Sequence, residues 1–234
     1  MWDNQKYPGD QPAACKRLKA MLIDLDVRDK IVLIIGGGKV GERKAAKFLA
    51  AGARVVVASR DFTDTIKRLS TDGKLQLAHI DAEADHVSVI PWISKADFII
   101  AATNNRELNK QVAEEAKKKR THVSVVDNAH LGDFTLPVTS RIGEIHIAIS
   151  TGGKSPAIAN LLRKRVEAIV TEEDILLVRL QSYARELAKL HITNQEFRRK
   201  ALYTIIEDRK IRRLLKRGNF QEAKNLAKQI IKCY

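Results

Sequence analysis

Cysteine is scarce in this chain, since only Cys15 and Cys233 occur among its 234 residues. The two lie near opposite ends of the sequence, so neither a disulfide framework nor a cysteine-based zinc site is predicted. Long apolar runs are missing too, because none approaches the roughly 20 residues of a membrane-spanning helix. Residues 1–10 are polar and lack the apolar core of a signal peptide. We therefore expect a cytoplasmic protein without a membrane partner.

Acidic residues are too few to balance the basic ones. The chain has 28 Asp and Glu residues against 42 Lys and Arg residues, which gives a formal net charge of +14. Such an excess is typical of proteins that bind nucleic acid or a polycarboxylate substrate, and also of a well-solvated basic surface. The charge alone leaves these three explanations open.

Short apolar runs alternate with amphipathic stretches through most of the chain. Buried strands are predicted at residues 31–35, 54–58, 75–79, 98–102 and 123–126, and helices at 42–51 and 106–119. This alternation predicts a doubly wound parallel sheet. One further strand is expected at residues 145–149, and almost everything after it reads as helix, with amphipathic segments at 173–190, 195–216 and 219–232. We expect an α/β fold, in which a Rossmann-type parallel sheet is followed by a short linking region and a helical C-terminal domain.

A glycine motif follows the first predicted strand and opens the first predicted helix. Gly36, Gly38 and Gly41 fit GxGxxG, a pattern that is weak alone but stands here between a strand and a helix. The first glycine permits a tight turn, the second lets a pyrophosphate approach the backbone, and the third lets helix and strand pack closely. The sequence therefore predicts that a dinucleotide binds at this helix N-terminus.

The ends of two other predicted strands offer polar groups to the same ligand. Asp61 comes slightly late for the acid that holds an adenosine ribose, and Arg60 is suited to a 2′-phosphate or to an ordinary surface position. The choice between NAD and NADP therefore stays open at this point. Thr103 follows the strand at 98–102, where it is suited both to ligand binding and to capping the next helix.

Two more segments contain residues that suit catalysis or ligand binding. Asp127 comes just after a buried strand, where a carboxylate can act as a general base or simply terminate a turn. Residues 150–156 combine hydroxyls, glycines and a lysine before a helix, so they form either an anion-binding loop or a connection in which Ser155 caps the helix and Pro156 starts it. The candidate binding residues of this loop are Ser150, Thr151, Gly152, Gly153 and Ser155.

Several of these motifs together resemble one known family. In order, they are Gly36-Gly-Gly-Lys-Val-Gly-Glu-Arg-Lys, Ala101-Ala-Thr-Asn-Asn, Ser124-Val-Val-Asp-Asn and Ala148-Ile-Ser-Thr-Gly-Gly-Lys-Ser-Pro. Over residues 20–170 the chain is similar to the precorrin-2 dehydrogenases, which include the N-terminal module of siroheme synthase. We expect four parts in the chain, which are an N-terminal extension at residues 1–20, the NAD-binding Rossmann domain at 21–136, a linking region at 137–170 and a helical domain at 171–234. The resemblance implies that the linking region also serves dimerisation.

The resemblance also implies an activity and assigns residues to it. Members of the family oxidise precorrin-2 to sirohydrochlorin with NAD as hydride acceptor, and they form homodimers. Asp127 matches the essential aspartate, and the 150–156 loop matches one near the substrate. The cofactor positions match Lys39, Val40, Arg60, Asp61 and Thr103, and the family's preference favours NAD. One member is phosphorylated at the position of Thr151, where serine is usual.

Three other functions compete with this assignment. Some members of the family also insert ferrous iron, although His122, His130 and His146 have no metal-ligand spacing and no resident metal is expected. A dehydrogenase for a different substrate is another possibility. A NAD-sensing regulator would bind nucleic acid through the basic runs at 198–200 and 209–213, but no recognition-helix pattern stands out. We therefore expect no nucleic-acid partner.

Overall fold

The computed structural model describes residues 21–82 and 84–234, which separate into two compact units. The first unit comprises residues 21–136 and the second comprises residues 137–234. Each unit is described by itself below. The expected N-terminal extension at residues 1–20 and Cys15 lie outside the described residues.

The first unit is built on a five-stranded parallel sheet of order β3-β2-β1-β4-β5. The strands are β1 (Ile31–Gly37), β2 (Arg54–Phe62), β3 (Gln76–His79), β4 (Phe98–Ala101) and β5 (His122–Val125). Side chains of a strand alternate between its two faces, so Val32 and Ile34 of β1 join one apolar cluster while Leu33 and Ile35 join the other. Both faces are buried, which explains the unbroken apolar runs of the sequence and confirms the expected α/β fold.

Helices cover both faces of this sheet. They are α1 (Lys39–Ala50), α2 (Asp64–Thr71), α3 (Ile90–Ile93) and α4 (Arg106–Lys118), with a 3-10 turn at His86–Val89. Helices α1 and α2 pack on the face of Val32 and Ile34, and α3 and α4 pack on the other. Gly52 ends α1 with a φ of +83°, as its sequence position predicts. The sequence did not predict α2 or α3, which are short.

The second unit begins with a β-hairpin and a helix. Strands β6 (Val138–Ile142) and β7 (Ile145–Ile149) pair antiparallel, and α5 spans Pro156–Ile169. Strand β7 was predicted from the sequence, whereas β6 was not. The Ser155 hydroxyl caps α5 by accepting a hydrogen bond from the Ile158 N–H at 3.2 Å, as predicted.

Four more helices complete the second unit around their own apolar cluster. They are α6 (Glu172–His191), α7 (Gln195–Glu207), α8 (Arg209–Lys216) and α9 (Phe220–Lys232). The single helix expected at 195–216 was wrong, because Asp208 is extended and separates α7 from α8. Its carboxylate accepts hydrogen bonds from the N–H groups of Lys210 and Ile211 at 2.7 and 2.9 Å, so it starts a new helix. In the part of the chain that the structure describes, no helix is long and apolar enough to cross a membrane.

The cluster of the second unit can be tested with two adjacent isoleucines of α7. Ile205 is fully buried, whereas Ile206 is 36% exposed. We expect Ile205→Ala to lower the free energy of unfolding by about 2–5 kcal/mol through lost burial and cavity formation. Ile206→Ala makes the same change in helix propensity and should cost clearly less. Urea unfolding followed by circular dichroism measures both, and equal losses would contradict the assigned core.

Candidate functional site

A cleft of about 400 Å³ opens at the carboxyl edge of the parallel sheet. The strand order reverses direction between β1 and β4, and ligands of open α/β sheets bind at such a switch point. The cleft is lined by the glycine turn after β1, by the end of β2 and by the segment after β4, in particular by Gly36, Gly37, Gly38, Ser59, Arg60, Asp61, Ala102, Thr103 and Asn104. Predicted cofactor residues of three separate segments, namely Gly36, Gly38, Arg60, Asp61 and Thr103, therefore line one cleft, whereas Lys39, Val40 and Gly41 are not part of its lining.

The glycines of the turn serve two different purposes. A Cβ on Gly36 would lie 2.4 Å from the Ala102 carbonyl oxygen, and one on Gly41 would lie 2.0 Å from that of Gly36. Both positions therefore require glycine for packing within the protein. A Cβ on Gly38 would meet nothing within 4 Å. The space beside Gly38 is open, as close approach by a ligand requires. Gly37 was not predicted as a site residue. A Cβ at this position would lie 2.1 Å from the Asp61 carbonyl oxygen, so glycine is required here too.

Helix α1 starts beside this open space without a side-chain cap. Gly38 is the N-cap residue, and no side chain accepts from the first N–H groups, which include those of Lys39 and Val40. Uncapped N–H groups and the helix dipole favour an anion at this end. The Lys39 ammonium lies 3.2 Å from a carboxylate oxygen of Glu42. Hydrogen bonds from Thr63 and then from Lys39 hold the pKa of the Glu42 carboxyl below its usual value.

Arg60 and Asp61 lie in the last part of β2, which runs beyond the predicted end at residue 58 to Phe62. The Arg60 Nε donates to Asp61 Oδ2 at 2.9 Å, and Arg60 Nη1 lies 3.9 Å from Asp81 Oδ2. The Arg60 guanidinium therefore lies near two carboxylates of the protein itself, those of Asp61 and Asp81. The Asp61 side chain is 83% exposed at the rim of the cleft.

Thr103 is part of a polar network that leads out of the cleft. Its hydroxyl donates to Asn109 Oδ1 at 2.7 Å, and its N–H donates to the same oxygen at 3.2 Å. Asn109 Nδ2 in turn donates to the Thr103 carbonyl oxygen at 3.1 Å and to Asp127 Oδ1 at 2.8 Å. The end of β4, helix α4 and the segment after β5 are thereby joined through one amide.

Asp127 stands two residues after β5 at the same edge of the sheet. Its Oδ1 is held by Asn109, and its Oδ2 lies 3.9 Å from the Nε of the highly exposed Arg106. The Asp127 side chain is 29% exposed. One carboxylate oxygen is therefore fixed by the protein, while the group as a whole remains accessible to a reactant.

Asn109 was not predicted as a site residue, although its position on the apolar face of a helix could have indicated one. Asn109 lies on the buried face of α4 together with Leu108, Val112, Ala113 and Ala116, and it is 1% exposed. A polar residue at an apolar position of an amphipathic helix needs internal partners, since burial without them is costly. That position alone could have marked Asn109 for attention.

The loop at 150–156 belongs to the second unit and forms a compact turn. The Thr151 hydroxyl accepts from the Ser155 N–H at 3.1 Å, and the Ser150 hydroxyl accepts from the Gly152 N–H at 3.2 Å. Gly152 and Gly153 have φ values of +63° and +82°. The structure thus brings these five predicted residues together in one turn. Asp127 and the predicted cofactor residues lie in the first unit.

His122, one of the histidines considered as a metal ligand, contacts an aspartate and a phenylalanine. His122 Nδ1 lies 3.1 Å from Asp133 Oδ2, and its ring stacks on Phe98 with the ring centroids 5.7 Å apart. Within residues 21–82 and 84–234, no group of three or more His, Cys, Asp or Glu side chains could hold a metal ion.

Two known protein families match two consecutive parts of the chain. Residues 23–138 match a family described as "Putative NAD(P)-binding", and residues 143–169 match the family "Sirohaem biosynthesis protein central". The first match contains every cofactor position discussed above as well as Asp127. The second contains the 150–156 loop and α5.

Individual relatives point the same way. The precorrin-2 dehydrogenase of Methanosarcina barkeri is 35% identical over 184 residues, covering 78% of this chain and 81% of the relative. A siroheme synthase of Nitrosospira multiformis is 36% identical over 168 residues, covering 70% of this chain but only 34% of that longer protein. The solved structure of SirC, a precorrin-2 dehydrogenase, has the same fold, with a TM-score of 0.67 and 23% identity over 92% of this chain and all of that one. The chain belongs to the precorrin-2 dehydrogenase family.

Proposed function

We propose that this protein oxidises precorrin-2 to sirohydrochlorin with NAD as the hydride acceptor. The observation that carries the proposal is the geometry at the switch point of the sheet. An uncapped helix N-terminus and the open space at Gly38 face one cleft, and a hydrogen-bonded path leads from its Thr103 wall to the Asp127 carboxylate. This arrangement occurs in a chain that shares 35% identity with a precorrin-2 dehydrogenase.

The cleft fits the dinucleotide part by part. The first N–H groups of α1 are suited to the pyrophosphate, because they lack a side-chain cap and lie beside the open space at Gly38. Thr103 and Asn104 line the cleft at the end of β4, on the other side of the switch point. When bound, NAD supplies the acceptor for a hydride, and the protein supplies binding and orientation.

The carboxylates beside Arg60 favour NAD over NADP. Arg60 Nε already donates to Asp61, and Asp81 lies within 3.9 Å of the same guanidinium. A 2′-phosphate placed here would meet the two carboxylates as well as the cation, which is electrostatically unfavourable. A ribose with a free 2′-hydroxyl instead finds the exposed Asp61 carboxylate as an acceptor.

Asp127 is the general base of the proposed reaction. Oxidation of the macrocycle removes a hydride and a proton, and a partly exposed carboxylate is a suitable acceptor for the proton. Asn109 holds Oδ1, which directs the remaining acceptor positions of Asp127 toward a bound substrate. The substrate is a polycarboxylate, so the net charge of +14 and the glycine-containing loop at 150–156 suit its binding. Ser150, Thr151, Gly152, Gly153 and Ser155 are its proposed contacts.

The protein acts as a homodimer joined through residues 137–170. In this segment only Ala159 is buried, and none of its residues belongs to an apolar cluster of the described chain. Helix α5 leaves Ile158, Leu161, Leu162 and Ile169 between 37% and 73% exposed. A second copy would cover this apolar face, since contiguous exposed patches mark interaction surfaces. Residues 171–234 then form a separate helical domain. The polycarboxylate substrate would account for the basic charge without nucleic acid or membrane, and a need for NAD agrees with the proposed cytoplasmic location.

The activity is tested by anaerobic absorbance of the purified protein with precorrin-2. Conversion to sirohydrochlorin that requires NAD supports the proposal, and a marked preference for NADP would overturn the cofactor assignment. A folded protein that fails to convert precorrin-2 in the presence of either NAD or NADP would overturn the function itself. Ferrous iron added after the first phase shows whether sirohaem forms faster than without protein.

Asp127→Ala should abolish turnover and leave NAD binding intact, because the residue acts on the substrate and does not line the cofactor cleft. Turnover is followed by absorbance and NAD binding by titration calorimetry. Asp72→Ala, which removes an exposed carboxylate at the end of α2, is the matched control and should behave as wild type. Turnover at the wild-type rate in Asp127→Ala would refute the assignment.

Gly38→Ala should fold normally yet bind NAD at least about 10-fold more weakly, which corresponds to about 1.4 kcal/mol. The new methyl group meets no protein atom within 4 Å, so its only effect is on the space left for the ligand. Gly41→Ala makes the same chemical change where the Cβ would lie 2.0 Å from a carbonyl oxygen, and it should lose stability instead. Thermal unfolding and NAD titration of both variants separate the two roles. Unchanged NAD affinity in Gly38→Ala would contradict the placement of the pyrophosphate.

The dimer is tested by sedimentation velocity. Wild-type protein should sediment as a dimer, and Leu161→Lys should shift it toward monomer by placing a charge on the apolar face of α5. Leu190→Lys is the matched control, because Leu190 is 80% exposed on α6 outside the proposed interface. A monomeric wild type, or equal effects of the two variants, would rule out this interface.

A further inference from the structure

Asn109 is one of two polar residues that are buried in the described part of the chain, the other being Ser124. It occupies a core position of α4, where leucine or alanine would pack without any need for hydrogen bonds. A buried amide stabilises a protein only when its donors and acceptors are satisfied. Both polar atoms of the Asn109 side chain have partners, and each of these partners belongs to Thr103 or Asp127.

The orientation of the amide follows from backbone groups that cannot exchange roles. The Thr103 N–H is a donor, so the Asn109 atom 3.2 Å away must be the oxygen. The Thr103 carbonyl is an acceptor, so the atom 3.1 Å away must be the nitrogen. The second hydrogen of that nitrogen is therefore directed at Asp127 Oδ1, 2.8 Å away. The contact is therefore a hydrogen bond that the amide donates to the carboxylate.

We propose that Asn109 is a positioning residue that fixes the Asp127 carboxylate and aligns it with the Thr103 segment of the cofactor cleft. The inference rests on the proposed function of Asp127 as general base. Thr103 lines the cleft and Asp127 does not, so the amide is the direct link between the cofactor side and the proton acceptor. With Oδ1 of Asp127 occupied, the second oxygen is left to receive the proton.

The pairing of one amide with both groups has a physical consequence. Asp127 lies 18 residues from Asn109 along the chain, and Thr103 lies six residues away. Loss of the amide would free the carboxylate to rotate. Proton transfer depends on the position of the base. The rate of the chemical step should therefore fall while the KM for precorrin-2 changes little, whereas a purely structural amide would affect stability alone.

The test compares two substitutions of Asn109 in the full-length enzyme. Asn109→Asp keeps the size and the acceptor for Thr103 but places a carboxylate oxygen against Asp127. Asn109→Ala removes the donor without burying a charge, and it carries the test should the first variant fold poorly. Gln111→Glu is the matched control, because it makes the same change from amide to carboxylate on α4, two residues away.

We expect kcat to fall about 10-fold or more in both Asn109 variants while the KM for precorrin-2 changes little, because only the placement of the proton acceptor is lost. Gln111→Glu should match wild type in both values. Folded Asn109 variants that keep the wild-type kcat would overturn the inference while the wild type remains active. A wild type that does not oxidise precorrin-2 would instead overturn the proposed function on which the inference rests.

Discussion

The first unit depends on the close contact between the chain at Gly36 and the end of β4. Gly36 has a φ of +121°, and a side chain there would lie 2.4 Å from the Ala102 carbonyl oxygen. Because no Cβ intervenes, β1 turns into α1 directly beside β4. The helix N-terminus, the Thr103 segment and the end of β2 therefore meet at one edge of the sheet. Gly36, Gly38, Ala102 and Thr103 consequently line the same cleft.

The polar groups of the site are ordered by long-range hydrogen bonds in an otherwise apolar environment. Strands β4 and β5 pair in parallel, so Thr103 and Asp127 emerge side by side where these strands end. Asn109, projecting from the buried face of α4, satisfies both of them with one amide. Hydrogen bonds at both ends of the amide hold these groups in place, and the role proposed for Asp127 depends on a fixed carboxylate.

The two units differ in how they use their apolar residues. In the first, buried strands and helices enclose side chains on both faces of the sheet. In the second, α6 to α9 enclose a cluster of their own, while the hairpin and α5 leave large apolar side chains exposed. This contrast follows from size, because two short strands and one helix are too small to bury both of their faces. The segment therefore suits contact with a second copy of the chain.

Much of the fold could be predicted from the sequence, because buried parallel strands, amphipathic helices and their glycine ends leave local patterns. The five strands of the sheet, α1, α4 and the Ser155 cap were all predicted within a few residues. Strand β6 was missed because Val138–Ile142 has only two apolar residues, whereas the equally long β7 has four. The break at Asp208 was missed because helical periodicity continues across it. The glycine motif and the acid after β5 were recognisable from residue type and position. Tertiary structure alone decided that Arg60 pairs with Asp61 near Asp81 and that Asn109 joins Thr103 to Asp127. Local patterns determined the elements, whereas these pairings depend on which strand ends the sheet brings together.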